Sequence, residues 1–163
     1  MAQSKIQIHC NSQSETEGLA AKLAEIAKPG DLFALTGDLG AGKSTFARAF
    51  IRSLLSNPEA EVPSPTFTLV QAYDGPDYPV YHADLYRLHD PEEVYDLGLD
   101  DERSEAVMLI EWPDRLPEEW LENASEISLT RADKIGELDG DDEARSVVIS
   151  SRAETILALG PRK

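Results

Sequence analysis

The sequence lacks the features that mark disulfide-rich and membrane-spanning proteins. Its 163 residues include one cysteine, Cys10, which excludes an intrachain disulfide and a metal site built from several cysteines. No apolar run approaches the ~20 residues that a transmembrane helix requires. The first residues, 1–8, lack the charged-then-apolar pattern of a secretion signal, so we expect a cytoplasmic protein without a membrane segment.

Basic residues are also scarce. The chain has 15 Lys and Arg residues against 31 Asp and Glu residues, a formal net charge of -16. A protein that binds nucleic acid on its own needs clustered cations that displace counterions from the phosphates. We therefore expect no DNA binding and no tight autonomous RNA binding. An acidic surface favours docking onto a basic protein partner, although solubility alone is the simpler explanation of the charge.

The hydrophobic content of 41% and the length suit one globular domain with a real core. Residue patterns predict strands near 6–8, 32–36, 66–73, 79–83, 107–110, 126–130 and 146–150. They predict helices near 14–27, 44–55, 91–97 and 153–159. A capping box formed by Ser14 and Glu17 opens the first helix, and Pro91 takes the first position of the third.

The order of these elements indicates an α/β fold. Strands and helices alternate in the first half, while a predicted hairpin at 66–83 and two late strands add antiparallel members. We therefore predict one domain over 1–163 with a mixed central sheet flanked by helices and a core over about 5–150. The acidic segment 133–143 is interpreted as a mobile hairpin connection without chemistry.

The most specific motif is GDLGAGKS at 37–44, which matches the phosphate-binding pattern GxxxxGK[ST]. It lies between a predicted strand and a predicted helix, as the pattern requires. Its glycines let backbone N–H groups converge on phosphate oxygens, and the helix N-terminus adds partial positive charge. Lysine contacts the phosphates in such loops, and the following hydroxyl ligates Mg²⁺. The predicted nucleotide contacts are Asp38, Leu39, Gly40, Ala41, Gly42, Lys43, Ser44 and Thr45. The domain is thus predicted to be P-loop NTPase-like.

A nucleoside triphosphatase also needs a second carboxylate for Mg²⁺ and a group that positions water. Asp84 and Glu111 each follow an apolar run, and the pattern leaves open which of them serves the metal. Thr66 lies after the loop helix, where such proteins often carry a switch threonine; a plain turn residue is the alternative. Trp112 follows Glu111 and either stacks at the site or belongs to the core. His82 is interpreted as an ordinary sheet histidine.

Four blocks together resemble the TsaE family, P-loop ATPases that bacteria need to make threonylcarbamoyladenosine in tRNA. The blocks are GDLGAGKS at 37–44, SPTF at 64–67, HADLYR at 82–87 and IEWPDR at 110–115. The first block indicates only a nucleotide site, whereas the other three, at this spacing and chain length, are specific. The resemblance extends from Glu17 to about Ile149 and does not account for 133–143.

The resemblance implies a role for each matching residue. Lys43 would bind the phosphates, Ser44 supplies the hydroxyl, and Thr66 would lie near Mg²⁺. Asp84 would serve the metal, while Glu111 would position water or lie in the metal's outer shell. Trp112, paired with Glu111, would contact the nucleotide. The implied catalytic residues are Lys43, Thr66 and Glu111, and the implied metal residues are Ser44, Asp84 and Glu111.

The resemblance also implies partners and cofactors. TsaE works with TsaD and TsaB, which transfer the threonylcarbamoyl group to tRNA, and ATP hydrolysis resets that complex between rounds. The expected cofactors are ATP, its product ADP, and Mg²⁺. The preference for ATP comes from the resemblance, since no local motif distinguishes adenine from guanine. Contact with tRNA would be indirect, through the partner proteins, in agreement with the acidic charge.

Two other functions fit the phosphate loop alone. A small-molecule kinase usually carries a lid with several arginines that clamp the transferred group. The candidate lid at 100–105 holds only Arg103. A binding module gated by ATP would need the nucleotide bound but not hydrolysed, and its partner function would survive removal of the Glu111 carboxylate.

Overall fold

The structure, a computed structural model, describes residues 3–38, 40–131 and 144–160. In that part of the chain, seven strands form one sheet: β1 (Ser4–Cys10), β2 (Leu32–Thr36), β3 (Val70–Asp74), β4 (Pro79–Asp84), β5 (Val107–Glu111), β6 (Ser125–Arg131) and β7 (Arg145–Ser151). The α-helices there are α1 (Gln13–Ile26), α2 (Lys43–Leu54), α3 (Glu93–Asp96), α4 (Glu118–Leu121) and α5 (Glu154–Leu157). Two 3₁₀ turns cover Asp100–Glu102 and Pro113–Arg115.

The sheet is mixed, as predicted. Its strand order is β1-β7-β6-β2-β5-β4-β3. The four central strands, β6, β2, β5 and β4, run parallel, and β3, β7 and β1 add antiparallel partners at the two sides. The predicted hairpin of β3 and β4 is confirmed. The parallel centre brings the carboxyl ends of β2, β4 and β5 to one edge of the sheet.

Strand β5 shows how the centre of the sheet serves two cores. Its side chains alternate between the faces, so Val107 and Leu109 join one apolar cluster while Met108 and Ile110 join the other. All four are at most 1% exposed. Burial on both faces explains why this strand is a continuous apolar run, as the sequence predicted.

Helices α1 and α2 cover one face of the sheet. Phe46 and Phe50 of α2 are completely buried, and the ring of Phe50 lies 5.6 Å from that of Phe33 in β2. Burial of one such side chain contributes roughly 1.5–3 kcal/mol, which is several times the helix propensity of any single residue. The predicted apolar side of this helix is therefore what holds it against the sheet.

The start of α1 differs from the prediction by two residues. Ser12, rather than Ser14, is the N-cap, and its Oγ accepts a hydrogen bond from the backbone N–H of Glu15. The Glu15 carboxylate in turn accepts a bond from the backbone N–H of Asn11. Two overlapping Ser-x-x-Glu patterns occur here, and the first of them supplies the cap: its serine bonds to the N3 backbone N–H, while its glutamate reaches the N–H of Asn11, one residue before the N-cap.

Other boundaries also differ from the prediction, and β1 extends over Ser4–Cys10 rather than 6–8. The strand expected from residue 66 begins at Val70, because 65–68 form a turn and Leu69 has a positive φ of 68°. The backbone N–H of Leu69 bonds to the carbonyl of Pro65 at 2.7 Å, closing that turn. The helix expected from Pro91 begins at Glu93. The segment predicted at 133–143 lies outside the described residues.

No helix in the described ranges is both long enough and apolar enough to cross a membrane. The chain crosses from sheet to helix at the end of β2, through the loop that carries the phosphate-binding pattern. The candidate site therefore lies at the edge where the central parallel strands end, the usual position of ligand sites in open α/β sheets.

Candidate nucleotide-binding site

The strand register aligns the two candidate carboxylates beside the phosphate loop. Glu111 ends β5 and pairs with Asp84, which ends β4. On its other side Glu111 pairs with Leu35 of β2, two residues before the loop begins at Gly37. Asp84 is 8% exposed and Glu111 5%. Residues far apart in the chain are therefore brought to one edge because β2, β5 and β4 are neighbouring parallel strands.

The phosphate loop depends on glycine at Gly37. This residue has a φ of 146°, and a Cβ there would lie 2.6 Å from the carbonyl oxygen of Leu129 and 3.0 Å from Cβ of Ala41. Contacts that short do not occur between ordinary side chains and backbone, so any larger residue forces the loop away from β6. Gly40 and Gly42 also have positive φ, 83° and 107°, which L side chains rarely adopt.

Helix α2 begins at the end of this loop with its N-terminus uncapped by a side chain. Gly42 is the N-cap and lacks a side chain to accept from the first N–H groups, and the first turn contains no acidic residue. These N–H groups and the helix dipole make a natural anion site. Ser44 is exposed and Thr45 is half-buried in the same turn.

The Lys43 side chain folds back over the loop. Its Nζ donates a hydrogen bond to the carbonyl oxygen of Gly37 at 2.7 Å and lies 4.7 Å from the centre of the Trp112 ring. The residue is 9% exposed. The ammonium group is thus already positioned over the segment where the motif predicts phosphates.

Asp84 is held between two backbone turns. Its Oδ1 accepts from the backbone N–H of Tyr86 at 3.1 Å, and the Thr66 hydroxyl lies 3.4 Å from Oδ2. The Thr66 hydroxyl also lies 2.7 Å from that of Ser64. The loop after α2 therefore reaches the carboxylate at the end of β4 through Thr66.

Glu111 makes a buried pair with His82. The Oε2 atom of Glu111 lies 2.8 Å from Nε2 of His82, and both side chains are nearly inaccessible. His82 is therefore a buried sheet histidine, as interpreted from the sequence, and its partner is the carboxylate at the end of the adjacent strand. The sequence pattern alone did not indicate this contact.

Trp112 has an unusual backbone conformation directly after Glu111. Its φ of 61° and ψ of 56° are left-handed, which costs a bulky residue on the order of 1–3 kcal/mol and persists only where the surroundings dictate it. Its ring lies 4.9 Å from that of Tyr86, which is 57% exposed. Trp112 is thus half-buried at the rim, between Lys43 and Tyr86.

A cleft of about 220 Å³ opens on the other side of the loop, toward β6. Its lining residues are Gly37, Asp38, Ala41, Ser128, Leu129, Thr130 and Arg131. Asp38 thus lies at the junction of loop and cleft, whereas the predicted contact Leu39 lies outside the described residues.

Arg145 is a residue near the loop that the sequence did not indicate. Its Nε donates to the carbonyl oxygen of Ala41 at 2.7 Å, and its Nη2 lies 3.4 Å from that of Gly40. No local motif surrounds Arg145. The position of β7 beside β6, close to β2, is what brings it to the loop.

The donor set fits Mg²⁺ bound together with phosphates. Ser44 and Asp84 offer hydroxyl and carboxylate oxygens, the ligand types that Mg²⁺ prefers, and it usually takes one or two carboxylates plus substrate oxygens and water. Within 3–38, 40–131 and 144–160, no group of three or more His, Cys, Asp or Glu side chains forms a metal cage. The residues therefore suit a metal shared with a nucleotide.

The glycine loop between β2 and α2, set in a mixed parallel-centred sheet, defines a P-loop NTPase-like protein. The family model described as "Threonylcarbamoyl adenosine biosynthesis protein TsaE" matches residues 10–138. The chain belongs to this TsaE family, as its four sequence blocks predicted.

Individual relatives agree with this assignment. Over 149 residues the chain is 41% identical to the tRNA threonylcarbamoyladenosine biosynthesis protein TsaE of Bacillus subtilis, covering 91% of this chain and 82% of the relative. Over 102 residues it is 45% identical to the protein of that name in Rickettsia conorii, covering 63% of this chain and 58% of the relative. The match thus spans less than two thirds of the Rickettsia protein. The crystal structure of Bacillus subtilis YdiB superposes with a TM-score of 0.69 at 29% identity, covering 98% of this chain and 93% of that one.

Proposed function

We propose that this protein binds ATP with Mg²⁺ and hydrolyses it to ADP and phosphate, as a cytoplasmic step in making threonylcarbamoyladenosine in tRNA. The observation that carries the proposal is the register that sets Asp84 and Glu111 side by side at the edge where the phosphate loop begins. An anion site at the start of α2 and two carboxylates beside it are the parts that phosphoryl transfer to water requires.

Each residue has a role in this proposal. The N–H groups of the loop and the first turn of α2 bind the phosphates, with Lys43 exchanging its bond to Gly37 for phosphate oxygens. Ser44 and Asp84 hold Mg²⁺, which neutralises charge on the phosphates when bound. Thr66, which reaches Asp84, senses the occupied site. Trp112 contacts the nucleotide, whose nucleoside extends toward the cleft beside β6.

Glu111 is the group we assign to the attacking water. The hydrogen bond from His82 holds one carboxylate oxygen, and this orients the carboxylate at the strand end. A carboxylate so placed accepts a hydrogen bond from water and aligns it for in-line attack. In the alternative role, Glu111 lies in the outer coordination shell of Mg²⁺. Its position is the same in both roles, but only in the second would its removal change the Mg²⁺ concentration that activity requires.

We propose TsaD and TsaB as partners, with tRNA reached through them. The family assignment and the printed names of the relatives support a role in this modification. The net charge of -16 supports indirect contact with tRNA, because an acidic surface repels phosphates. Hydrolysis would reset the TsaD–TsaB complex between rounds of transfer.

The test is ADP release by the purified protein, alone and with TsaD and TsaB. We expect hydrolysis that rises with the partners and disappears in Lys43→Ala, while the matched variant Lys22→Ala, at an exposed site of α1, behaves as wild type. Undiminished hydrolysis by Lys43→Ala contradicts the proposal. If ADP release instead requires a small-molecule acceptor that becomes phosphorylated, the protein is a kinase. If Glu111→Ala binds ATP and supports transfer like wild type, binding alone suffices.

A further inference from the structure

Arg145 contacts the phosphate loop from outside the motif. It is the first residue of β7, and its Nε donates to the carbonyl oxygen of Ala41 at 2.7 Å. Its Nη2 lies 3.4 Å from the carbonyl oxygen of Gly40, a longer and weaker bond. A Cβ on Gly42 would lie 3.4 Å from Nε, so the guanidinium lies directly against the loop.

Peptide geometry gives this contact a consequence for anion binding. In a trans peptide the C=O and N–H bonds point in opposite directions. Because the Ala41 carbonyl points to Arg145, the N–H of Gly42, which belongs to the same peptide, points away from it. The preceding peptide is held as well, since the Ala41 N–H donates to the carbonyl of Asp38 at 2.9 Å. Two consecutive peptide planes of the loop are thus fixed.

The arginine side chain is itself held in place. Its Nη1 donates to the carbonyl oxygen of Ala144 at 2.8 Å. Its backbone lies between two strands, paired with Cys10 of β1 and with Arg131 of β6. A cation held this way loses little further freedom when a ligand binds to the loop, and its charge is added behind the N–H groups rather than in the space for phosphate.

We propose that Arg145 is a positioning residue for phosphate binding: it holds the Ala41–Gly42 peptide with its N–H directed into the loop and adds positive charge behind it. This inference rests on the proposed nucleotide binding. It assigns to Arg145 a ground-state role, since the loop N–H groups contact phosphates before and during the reaction.

The test compares Arg145→Ala, Arg145→Lys and Arg145→Gln with a matched control, Arg152→Ala. Arg152 is exposed and follows the far end of β7. Arg152→Ala therefore removes the same charge at ~20 Å from Arg145, a distance that follows from the length of the strand. Steady-state hydrolysis gives KM and kcat, titration with ATP and with tripolyphosphate gives Kd, and urea unfolding checks the fold.

Arg145→Ala should raise Kd and KM for ATP about tenfold or more, because a charge-assisted hydrogen bond is lost, and leave kcat nearly unchanged. The Kd for tripolyphosphate should rise by a similar factor, because the substitution affects the binding of the phosphates. Arg145→Lys should retain more affinity than Arg145→Gln. Equal Kd values for wild type and a folded Arg145→Ala variant overturn the inference, as does an equal loss in Arg152→Ala. Because Arg145→Lys and Arg145→Gln are conservative, they carry the same comparison if Arg145→Ala does not fold.

Hydrogen exchange of the Ala41 amide provides a measurement independent of ATP, because this N–H donates to the carbonyl of Asp38 at 2.9 Å within the loop segment that Arg145 contacts. We expect this amide to exchange faster in Arg145→Ala than in wild type, while amides of β2 remain as protected as before. An unchanged Ala41 amide contradicts the inference even where KM rises. If wild type binds neither ATP nor tripolyphosphate, the proposed function fails, and the Ala41 amide still decides whether Arg145 positions the loop.

Discussion

The Nε2 atom of His82 lies 2.8 Å from the Oε2 atom of Glu111, and the two side chains are among the most deeply buried polar groups in the described part of the molecule. The pair joins β4 to β5 at the edge where the phosphate loop begins. A buried carboxylate without a partner is costly, so this bond both orients Glu111 and makes its burial tolerable.

Replacement of His82 by leucine should destabilise the protein. The change leaves the Glu111 carboxylate buried without its imidazole partner, which costs roughly 1–3 kcal/mol. Urea unfolding measures this loss. The double variant His82→Leu with Glu111→Leu is the control, and it should recover part of the stability because both polar groups are gone. Unchanged stability of the single variant would show that the bond contributes nothing.

Replacement of Glu111 by glutamine should slow hydrolysis while ATP remains bound. The amide preserves size but is a poor base for water, and such groups contribute roughly 10²–10⁴ in rate. Single-turnover ADP release measures the change, with Glu105→Gln at an exposed position as the charge-matched control. Mg²⁺ titration separates the two roles. If Glu111 lies in the outer shell of the metal, Glu111→Gln should need a higher Mg²⁺ concentration for half-maximal activity; if Glu111 only positions water, that concentration should stay the same. An unchanged rate would remove Glu111 from the mechanism.

Trp112 should report nucleotide binding by its fluorescence. The Lys43 ammonium lies 4.7 Å from the ring centre. In the proposed function it leaves this position to bind phosphates, which would alter the surroundings of the indole. The emission of wild type should therefore change on addition of ATP and Mg²⁺. The change should persist in Trp120→Phe, whose indole is 2% exposed in the other core, and disappear in Trp112→Phe. Equal fluorescence changes in both variants would refute the prediction that Trp112 is the reporter.

Gly37→Ala should be more damaging than Gly98→Ala. Both glycines have positive φ, and strain alone costs an alanine about 1–2 kcal/mol. At Gly98 a Cβ meets nothing within 4 Å, whereas at Gly37 it would lie 2.6 Å from the Leu129 carbonyl oxygen. Thermal unfolding should show a larger loss for Gly37→Ala, accompanied by weaker ATP binding. Equal losses would mean that the loop moves away from β6 at no cost.

Asp31→Asn should stabilise the protein at neutral pH. Burial raises the pKa of Asp31, although the backbone N–H of Lys28, which donates to Oδ2 at 3.0 Å, and the charge of Lys28 act in the lowering direction. A folded-state pKa above the unfolded value means that stability is lost as pH rises through the folded pKa. Asparagine keeps an acceptor oxygen and does not ionise.

The matching measurement is urea unfolding of wild type and Asp31→Asn from acidic to neutral pH. The stability advantage of the variant should grow as pH rises above the ordinary carboxyl range and vanish below it. Asp101→Asn, at an exposed position, is the control. An advantage that is the same at every pH would assign the effect to something other than ionisation.

Many elements of this fold were predictable from local patterns. The strand at 32–36 was predicted with both ends correct, and β5 was recognised as a doubly buried strand because all its side chains are apolar until Glu111. The start of β3 was not predictable in the same way. Residues 66–68 have β-branched and aromatic side chains, but a hydrogen bond from the Leu69 N–H to the Pro65 carbonyl turns the chain there instead.

The sequence by itself determined the phosphate loop, the family and the candidate carboxylates, because glycine spacing, a lysine and strand-end acids are local properties of the chain. Only the tertiary structure decided which residues support them. His82 meets Glu111 because β4 pairs with β5, and Arg145 meets the loop because β7 lies beside β6. Such contacts join residues up to 105 positions apart, and the pairing of strands that creates them depends on burial across the whole sheet.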